Sequence, residues 1–280
     1  MIDARTVWKD VERIRQSAPL VHNITNYVVM NTTANALLSI GASPVMAHAL
    51  EEMDELAAIV KALVINIGTL SPGWIEGMRR AGLAAREHGV PVILDPVGAG
   101  ATSLRTDTCA ALLTEVAPGI VRGNASEILA LAQATCGLVA EGRTKGVDSA
   151  HESAAALNAA TALASRFACV VVVSGAVDYV TDGLRGLRIE NGDALMPRVT
   201  GMGCTASALI GAFAAVNTSG LAAAGHAMAV MGVCGELAAA ISQGPGSMQL
   251  NFLDALYTLC PEDIEARLRI IPLENVAQQP

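Results

Sequence analysis

Short apolar runs without polar alternation recur along this 280-residue chain, and helical patterns separate them. The clearest runs are Ala62–Ile67, Val90–Leu94 and Ala168–Val173, the last with four consecutive valines. A strand that is apolar on both faces must be covered on both faces, as strands of a parallel sheet are by their crossover helices. The pattern therefore predicts an α/β fold with a mainly parallel central sheet and helices on both faces.

Local signals predict where two of the helices begin. Ser71 followed by Pro72 is typical of an N-cap and a first helical position, and the helix is expected to run toward Gly89. Asn124 with Glu127 three residues later has the spacing of a capping box. Both signals directly follow apolar runs, so each predicts a strand–helix unit.

The region Val177–Pro197 has a different pattern from the rest. Strand-like runs there are interrupted by Thr181–Gly183 and Glu190–Gly192, which read as hairpin turns and predict a small antiparallel edge. Residues 203–259 are predicted to be helical. No repeat, linker or change in composition marks a second domain, so residues 1–280 are predicted to form a single domain.

Composition and charge narrow the classes of function. The net charge of −8, with no run of Lys or Arg, argues against binding to nucleic acid or to an anionic membrane. Hydrophobic residues make up 52% of the chain and charged residues 16%, which favours a homo-oligomer in which other subunits cover apolar surface. The six cysteines have no zinc-ligand or redox spacing, and the N-terminus has no apolar core of a signal peptide. A cytoplasmic protein with reduced thiols is the resulting prediction.

One long stretch, Val199–Gly235, contains no charged residue. It is interrupted by Asn217–Gly220 and is rich in small residues, so two buried helices fit it better than a membrane span. His226 within this stretch is interpreted as a buried, hydrogen-bonded histidine.

The segment Val199–Thr205 is the first candidate for chemistry. Gly201 and Gly203 flank one residue at a helix start, where free backbone N–H groups and the helix dipole attract an anion. The thiol of Cys204 lies at the same place, where a thiolate is favoured. Such a site suits phosphoryl transfer, in which positioning and charge stabilisation dominate. A glycine turn that opens a buried helix explains the same segment equally well.

Polar residues also follow the predicted strands, at the edge where ligands of parallel sheets bind. Asp95, Arg122 and Ser174 fall at such strand ends. Asp95 and Glu127 offer hard oxygens for magnesium, and Arg122 offers a guanidinium for phosphate. Each residue alone also fits a structural role as a turn former, cap or surface side chain. Neither a P-loop nor a Gly-x-Gly-x-x-Gly motif is present.

The segment Val21–Asn26 carries more hydrogen-bonding groups than a turn requires, and its Asn26 is predicted to cap a helix that begins at Tyr27. Met46 lies in a segment that resembles the lip of a pocket, where its thioether could contact a flat apolar ring. A methionine in the core accounts for Met46 as well.

These pieces together resemble the hydroxyethylthiazole kinase family in order and spacing, over nearly the whole chain. The segments that carry the resemblance are His22–Asn26, Gly41–Met46, Leu94–Ala99, Arg122–Glu127 and Gly201–Cys204. The resemblance implies a ribokinase-like α/β fold and a homotrimer with active sites at subunit interfaces. It also implies phosphorylation of 4-methyl-5-(2-hydroxyethyl)thiazole by ATP and Mg²⁺ in thiamine salvage.

The resemblance assigns substrate and nucleotide contacts residue by residue. Met46 and Gly201 are expected to contact the thiazole, and Asn23 to lie near the same pocket, contributed across the interface. Arg122 and Ser174 are expected to bind ATP. Ser174 stands where threonine is common in the family, which keeps the hydroxyl.

The same resemblance assigns the metal and the chemical step. Asp95 and Glu127 are expected to organise magnesium and the phosphates. Cys204 occupies the place of the aspartate base of related sugar kinases, so it is expected to act as the base that accepts or orients the hydroxyl proton. Residues 201–204, including Gly201 and Gly203, are expected to form the anion hole beside it. Met202 replaces a smaller residue between the two glycines, so this loop is expected to pack differently.

Three other interpretations remain open at this point. A related kinase acting on another heterocyclic alcohol, such as the pyrimidine partner in thiamine salvage, has the same general features. An acyl-transfer enzyme with Cys204 as nucleophile needs a nearby histidine, and His226 is the only candidate close to it in sequence. A binding protein that has lost catalysis is the non-enzymatic alternative.

Overall fold

The computed structural model describes residues 2–138, 149–273 and 276. The strands in this part of the chain are β1 (Leu20–Ile24), β2 (Ser43–Val45), β3 (Ala62–Asn66), β4 (Val92–Asp95), β5 (Ile120–Asn124), β6 (Val170–Ser174), β7 (Asp178–Thr181), β8 (Gly186–Ile189) and β9 (Ile270–Leu273). They form one sheet in the order β2-β1-β3-β4-β5-β6-β7-β8-β9. The first six strands in this order are parallel, and the last three are added antiparallel.

Helices cover both faces of the sheet, as predicted. The helices are α1 (Ala4–Ser17), α2 (Met30–Ile40), α3 (Met53–Ile59), α4 (Pro72–Glu87), α5 (Ser103–Glu115), α6 (Ala125–Cys136), α7 (Ser149–Phe167), α8 (Met202–Ala214), α9 (Gly220–Ile241), α10 (Pro245–Thr258) and α11 (Pro261–Arg267). One buried apolar cluster unites α1, α2 and α8–α11 with one face of the sheet. A second cluster unites α3–α7 with the other face. The predicted α/β architecture is confirmed.

Strand β3 illustrates why an apolar run predicts a sheet covered on both faces. All five of its residues are buried. Val64 belongs to the cluster under α8, whereas Leu63 and Ile65 belong to the cluster on the opposite face. Each fully buried Val, Leu or Ile side chain contributes about 1.5–3 kcal/mol relative to exposure. Alternation of polar residues would place polar groups against one of the two helix layers.

The predicted helix starts are confirmed. The Ser71 hydroxyl accepts a hydrogen bond from the Trp74 backbone N–H, and Pro72 is the first residue of α4. Asn124 and Glu127 form a complete capping box at the start of α6. Both helices therefore begin at the carboxyl edge of the parallel strands, α6 directly after β5 and α4 after a short loop from β3.

The antiparallel edge forms, but one of its two predicted turns is wrong. Thr181–Gly183 connects β7 and β8 in a hairpin. The segment Glu190–Gly192 does not, because β8 pairs with β9 from the end of the chain. The Asn191 side chain stabilises this distant pairing. It donates to the Arg267 carbonyl at 2.7 Å and accepts from the Arg269 N–H at 2.8 Å.

The uncharged stretch forms two buried helices, α8 and α9, as predicted. By length and composition, α9 is the one helix of the described residues that is apolar enough to cross a membrane. However, 72% of its most apolar window is buried within the fold. Burial of this extent is typical of a core helix.

Candidate active site

The ends of the central parallel strands bring polar residues to one edge of the sheet. Asn66 ends β3, Asp95 ends β4, Asn124 ends β5 and Ser174 ends β6. The strand register places Asn66 beside Asp95, and Asn124 beside Ser174. Arg122 lies two residues before the end of β5. Parallel neighbours therefore bring Asp95, Arg122 and Ser174 together, as predicted.

Helix α8 begins at the same edge. Gly201 is its N-cap with a φ of +83°, a conformation that disfavours residues with a Cβ. The first helical hydrogen bond runs from the Thr205 N–H to the Gly201 carbonyl at 2.8 Å. The N–H groups of Met202, Gly203 and Cys204 precede it and so have no acceptor within the helix. They are available to an anion.

Arg122 joins the helix start to the strand ends. Its guanidinium lies so close to Gly203 that a Cβ there would meet Nη1 at 2.7 Å. Nη2 donates to the Ser174 hydroxyl, and Nη1 lies 4.0 Å from Asp95 Oδ2. Nε is buried without a hydrogen-bond partner among the described residues. The guanidinium thus lies beside the free N–H groups with donor capacity to spare.

Asp95 is fully buried and its two oxygens differ. Oδ2 accepts hydrogen bonds from Asn66 Nδ2 at 2.9 Å and from the Ser207 hydroxyl at 2.7 Å. Oδ1 has no partner in the part of the chain that the structure describes. Burial raises the pKa of Asp95 to about 6, although the positive charge of Arg122 acts in the opposite direction.

Cys204 lies beside the amide of Asn26, whose Nδ2 is 3.5 Å from Sγ. The expectation that the helix start favours a thiolate is wrong for this arrangement. Burial raises the pKa of Cys204 to about 11, and the negative charge of Asp95 acts in the same direction. The thiol is therefore protonated at neutral pH in the absence of bound ligands.

Glu127 connects two loops at the site. One carboxylate oxygen accepts from the Asn124 N–H and the other from the Gly98 N–H, both at 2.9 Å. The first bond completes the predicted capping box. Because both oxygens already accept a hydrogen bond, Glu127 offers only its remaining lone pairs to a water or a metal.

The predicted cap at Asn26 is wrong. Helix α2 begins at Met30, and no side chain caps it. Asn26 turns inward instead: its Oδ1 accepts from the Val28 N–H at 3.1 Å, and its Nδ2 donates to Asn66 Oδ1 at 3.0 Å. The buried partner Asn66 offers this side chain a second hydrogen bond, which an exposed cap position would not.

Met46 and Asn23 belong to the part of the sheet formed by β2 and β1, the first two strands in its order. Met46 follows β2 and is half-buried, whereas Asn23 lies in β1 and is buried. Asn23 Nδ2 donates to the Val21 carbonyl at 3.1 Å, and its Oδ1 has no partner among the described residues. Of the three predicted substrate contacts, Gly201 therefore lies beside Cys204 at the start of α8, whereas Met46 and Asn23 make no hydrogen bond to this group among the described residues.

Sequence reasoning missed two members of the site. Asn66 closes the apolar run of β3, just as Asp95 closes that of β4, and this parallel was the available signal. Ser207 follows Gly203 by one helical turn on α8, so it faces the same edge. Its partner Asp95 is 112 residues away in sequence, a pairing that no local pattern indicates.

Two further observations limit the chemistry. Among the side chains described for residues 2–138 and 155–273, no three His, Cys, Asp or Glu residues form a cluster that could hold a metal ion by themselves. His226 is buried as predicted and pairs with Asp10 through Nδ1 at 2.7 Å. Asp10 also accepts a hydrogen bond from Asn217, which follows the end of α8, so His226 lies near the opposite end of this helix from Cys204. This separation removes support for an acyl-transfer pair.

Comparison with known proteins gives a consistent result. Residues 11–262 match the model of the hydroxyethylthiazole kinase family. A hydroxyethylthiazole kinase of Oleidesulfovibrio alaskensis is 58% identical over 265 residues, which cover 95% of this chain and 97% of the relative. The solved structure of a hydroxyethylthiazole kinase protein from Pyrococcus horikoshii OT3 superposes with a TM-score of 0.88 at 41% identity, covering 96% of this chain and 100% of that one.

A more distant structure indicates the fold alone. A ribokinase-like superfamily protein from Enterococcus faecalis has a TM-score of 0.63 at 13% identity and covers 88% of this chain and 87% of its own. The predicted ribokinase-like fold is confirmed. With the family match and the relative above, the chain is a kinase and belongs to the hydroxyethylthiazole kinase family.

Proposed function

We propose that this kinase transfers the γ-phosphoryl group of ATP to the primary hydroxyl of 4-methyl-5-(2-hydroxyethyl)thiazole, a step of thiamine salvage. The names of its relatives support the substrate. The observation that carries the proposal is the convergence of three elements at one edge: two that suit phosphate, namely the free N–H groups of residues 202–204 and Arg122 with Ser174, and the buried carboxylate of Asp95. Phosphoryl transfer depends on such positioning and charge stabilisation.

Arg122 and Ser174 bind the phosphates of ATP in this proposal. The guanidinium is planar, stays charged at all relevant pH values and suits bidentate contacts to phosphate oxygens. Its bond to the Ser174 hydroxyl holds it at the strand ends, and its unpartnered Nε lies within the same buried group. The anion hole formed by Gly201–Cys204 lies directly beside it.

The site also fits a magnesium ion. Asp95 Oδ1 is a buried carboxylate oxygen without a partner among the described residues, the kind of hard ligand that magnesium prefers. Asp95 would hold the ion directly or through a water, and Glu127 through water, since hydrogen bonds occupy both of its oxygens. When bound, the ion neutralises negative charge on the phosphates.

The chemical step is an in-line displacement. The substrate oxygen forms a bond to the γ-phosphorus while the bond to the β,γ-bridging oxygen breaks and ADP leaves, and the hydroxyl proton passes to a phosphate oxygen or to water. The N–H groups at the start of α8 stabilise charge on the transferred group. A thiol with a pKa of about 11 orients the hydroxyl at neutral pH, so Cys204 is a base only in its deprotonated fraction. A loose transition state needs little help from a base.

We further propose that a cytoplasmic homotrimer completes the substrate pocket, with Met46, Gly201 and Asn23 around the thiazole. Large apolar side chains that the single chain leaves exposed support this assembly. They include Tyr27, Val28, Leu38 and Leu250. Tyr27 and Val28 directly follow the site residue Asn26, so a neighbouring subunit that covers them also approaches the site. Sedimentation equilibrium tests the assembly, and a monomeric active enzyme contradicts it.

A direct ADP-release assay tests the proposed reaction. ADP should form only when ATP, magnesium and the thiazole alcohol are all present, and EDTA should abolish it. Mass spectrometry of the product should show a phosphate monoester of the thiazole alcohol. Faster turnover of the pyrimidine alcohol than of the thiazole alcohol would move the substrate assignment to the related kinase activity. Binding of both ligands without ADP release would indicate a protein that has lost catalysis.

A further inference from the structure

Two buried amides form a continuous connection between Asp95 and Cys204. Asn66 Nδ2 donates to Asp95 Oδ2 at 2.9 Å, and Asn66 Oδ1 accepts from Asn26 Nδ2 at 3.0 Å. Asn26 Nδ2 also lies 3.5 Å from Cys204 Sγ. Asn66 is 1% exposed and Asn26 is 5% exposed, so water competes little for these bonds. The thiol is thereby connected to the end of β4 through two side chains from β3 and the β1–α2 loop.

The direction of this chain of hydrogen bonds is determined by donors that cannot reverse. The Gly68 N–H can only donate, and it meets Asn66 Oδ1 at 2.9 Å. The Val28 N–H meets Asn26 Oδ1 at 3.1 Å in the same way. Both amides therefore present Nδ2 to their next neighbour, and Cys204 Sγ is the acceptor at the end of the chain.

A purely local role accounts for only half of these contacts. An asparagine that accepts from the N–H two residues later forms a common turn, and both Asn66 and Asn26 do so. That turn uses Oδ1 alone. It does not require Nδ2 of Asn66 to reach Asp95, or Nδ2 of Asn26 to reach both Asn66 and the thiol.

We propose that Asn66 is a positioning residue for phosphoryl transfer, which acts through Asn26 to hold the Cys204 thiol toward the reacting hydroxyl. The assignment rests on the proposed function of Cys204 as the group that orients this hydroxyl. With Sγ as an acceptor from Asn26, the S–H group and the other lone pair of sulfur remain for the substrate. Loss of Asn66 leaves Asn26 with one acceptor fewer and frees the thiol to rotate.

The chain provides a matched control at the other end of α8. Asn217 donates through Nδ2 to the Asp10 carboxylate at 2.6 Å and accepts at Oδ1 from the Ser219 N–H, two residues later. Like Asn66, it combines a bond to a buried carboxylate with a local turn, but it lacks the bond that Asn66 accepts from Asn26. It lies beyond the end of a 13-residue helix, about 20 Å from Cys204. Asn217→Ala therefore removes an equivalent amide without touching the site.

The experiment compares kcat and KM of wild type, Asn66→Ala and Asn217→Ala, with thermal unfolding to confirm folding. Asn66→Ala should lower kcat about 100-fold, the size of effect expected from misplacing a reacting group by roughly an ångström. Its KM values for ATP and for the thiazole alcohol should stay within threefold of wild type, and Asn217→Ala should keep full kcat. A kcat loss below threefold, or an equal loss in Asn217→Ala, would overturn the assignment.

A second set of variants, made in the Cys204→Ala enzyme, separates this inference from the proposed function. In Cys204→Ala, which should itself turn over slowly, adding Asn66→Ala should cause no further loss, because the group it positions is already absent. A full additional loss would mean that Asn66 acts through Asp95 instead. Unchanged turnover of Cys204→Ala alone would refute the role of the thiol, whatever Asn66 does. If Asn66→Ala does not fold, Asn26→Ala removes the last link and must show the same kcat loss and the same lack of additivity.

Discussion

Two buried aspartates, Asp95 and Asp10, lie near opposite ends of helix α8 and differ in how completely they are paired. Asp10 Oδ2 accepts from His226 at 2.7 Å and from Asn217 at 2.6 Å, and its Oδ1 accepts from Arg13 at 3.1 Å. Asp95 places two hydrogen bonds on Oδ2 and leaves Oδ1 without a partner among the described residues. Only one of the two carboxylates keeps a free acceptor.

The pKa values of the two groups follow this difference. Burial alone would raise the pKa of Asp10, but the hydrogen bonds from His226 and Asn217 outweigh it and hold the pKa below the ordinary value. Burial dominates at Asp95 and raises its pKa to about 6. A fully paired buried carboxylate stabilises the fold, whereas one with an unpaired oxygen retains capacity for a ligand.

The largest predicted effect is the loss of kcat when Asp95, the carboxylate with an unpaired oxygen, is replaced. Asp95→Asn keeps the volume and an oxygen for the bonds from Asn66 and Ser207, and it replaces only the unpaired Oδ1 and the charge. We expect kcat to fall about 100- to 1,000-fold, as for the loss of one group that stabilises the transition state. The ADP-release assay measures it. As a control, Asp10→Asn should keep kcat within threefold of wild type. Comparable losses of kcat in both variants would contradict the proposed difference between Asp95 and Asp10.

The next prediction concerns pH and stability in magnesium-free buffer. The folded-state pKa of Asp95 is raised from 3.8 to about 6, so its contribution to stability is full below pH 3.8 and is lost as the pH rises through 6. Asp95→Asn should therefore be more stable than wild type above pH 6, by about 3 kcal/mol. Urea unfolding at pH 4, 5 and 7 measures the difference. A difference that does not change with pH would contradict the raised pKa.

The paired carboxylate should show the opposite behaviour. Its pKa is lowered, so the contribution of Asp10 is present above pH 3.8 and is lost as the pH falls further. Asp10→Asn leaves His226 and Asn217 without a charged acceptor, and we expect the free energy of unfolding at pH 7 to fall by about 2 kcal/mol. Urea unfolding measures the loss of stability, and a parallel measurement of kcat shows whether activity is retained. Reduced kcat at unchanged stability would place Asp10 in the active site.

The elements that sequence reasoning predicted well are those set by local patterns. Strands β3, β4 and β6 follow from apolar runs, and the capping box at Asn124 follows from residues three positions apart. The position of Asp95 at a strand end follows from the same runs. Since parallel strands share an edge, its proximity to Arg122 and Ser174 was predictable as well.

What sequence reasoning missed depends on pairing between distant residues. The bond between Asn26 and Asn66 spans 40 residues, and β8 pairs with a strand about eighty residues later. Neither follows from a turn signal, because register and strand order decide which side chains meet. The prediction that Cys204 is a thiolate was wrong for the same reason. A helix start alone favours a thiolate, but burial and the charge of Asp95 reverse that preference.

The smallest predicted effect comes from a substitution that changes no charge and tests how tightly the residues around Arg122 are packed. A Cβ on Gly203 would lie 2.7 Å from Arg122 Nη1, whereas a Cβ on the exposed Gly246 of α10 would meet nothing within 4 Å. Because a guanidinium at the end of a flexible side chain can move, Gly203→Ala should raise the KM for ATP about tenfold, or about 1.4 kcal/mol, rather than abolish turnover. Gly246→Ala, also within a helix, should leave the KM unchanged.

Steady-state kinetics at varied ATP concentrations measures both variants. The two substitutions add the same methyl group to a helical glycine, so their difference reports on crowding at Arg122 and at the adjoining anion hole. An unchanged KM for ATP in Gly203→Ala would contradict a role for the Gly203–Arg122 contact in nucleotide binding. Arg122 would then no longer connect Asp95 to the phosphates. The contrast between Asp95 as a functional carboxylate and Asp10 as a structural one would lose this support.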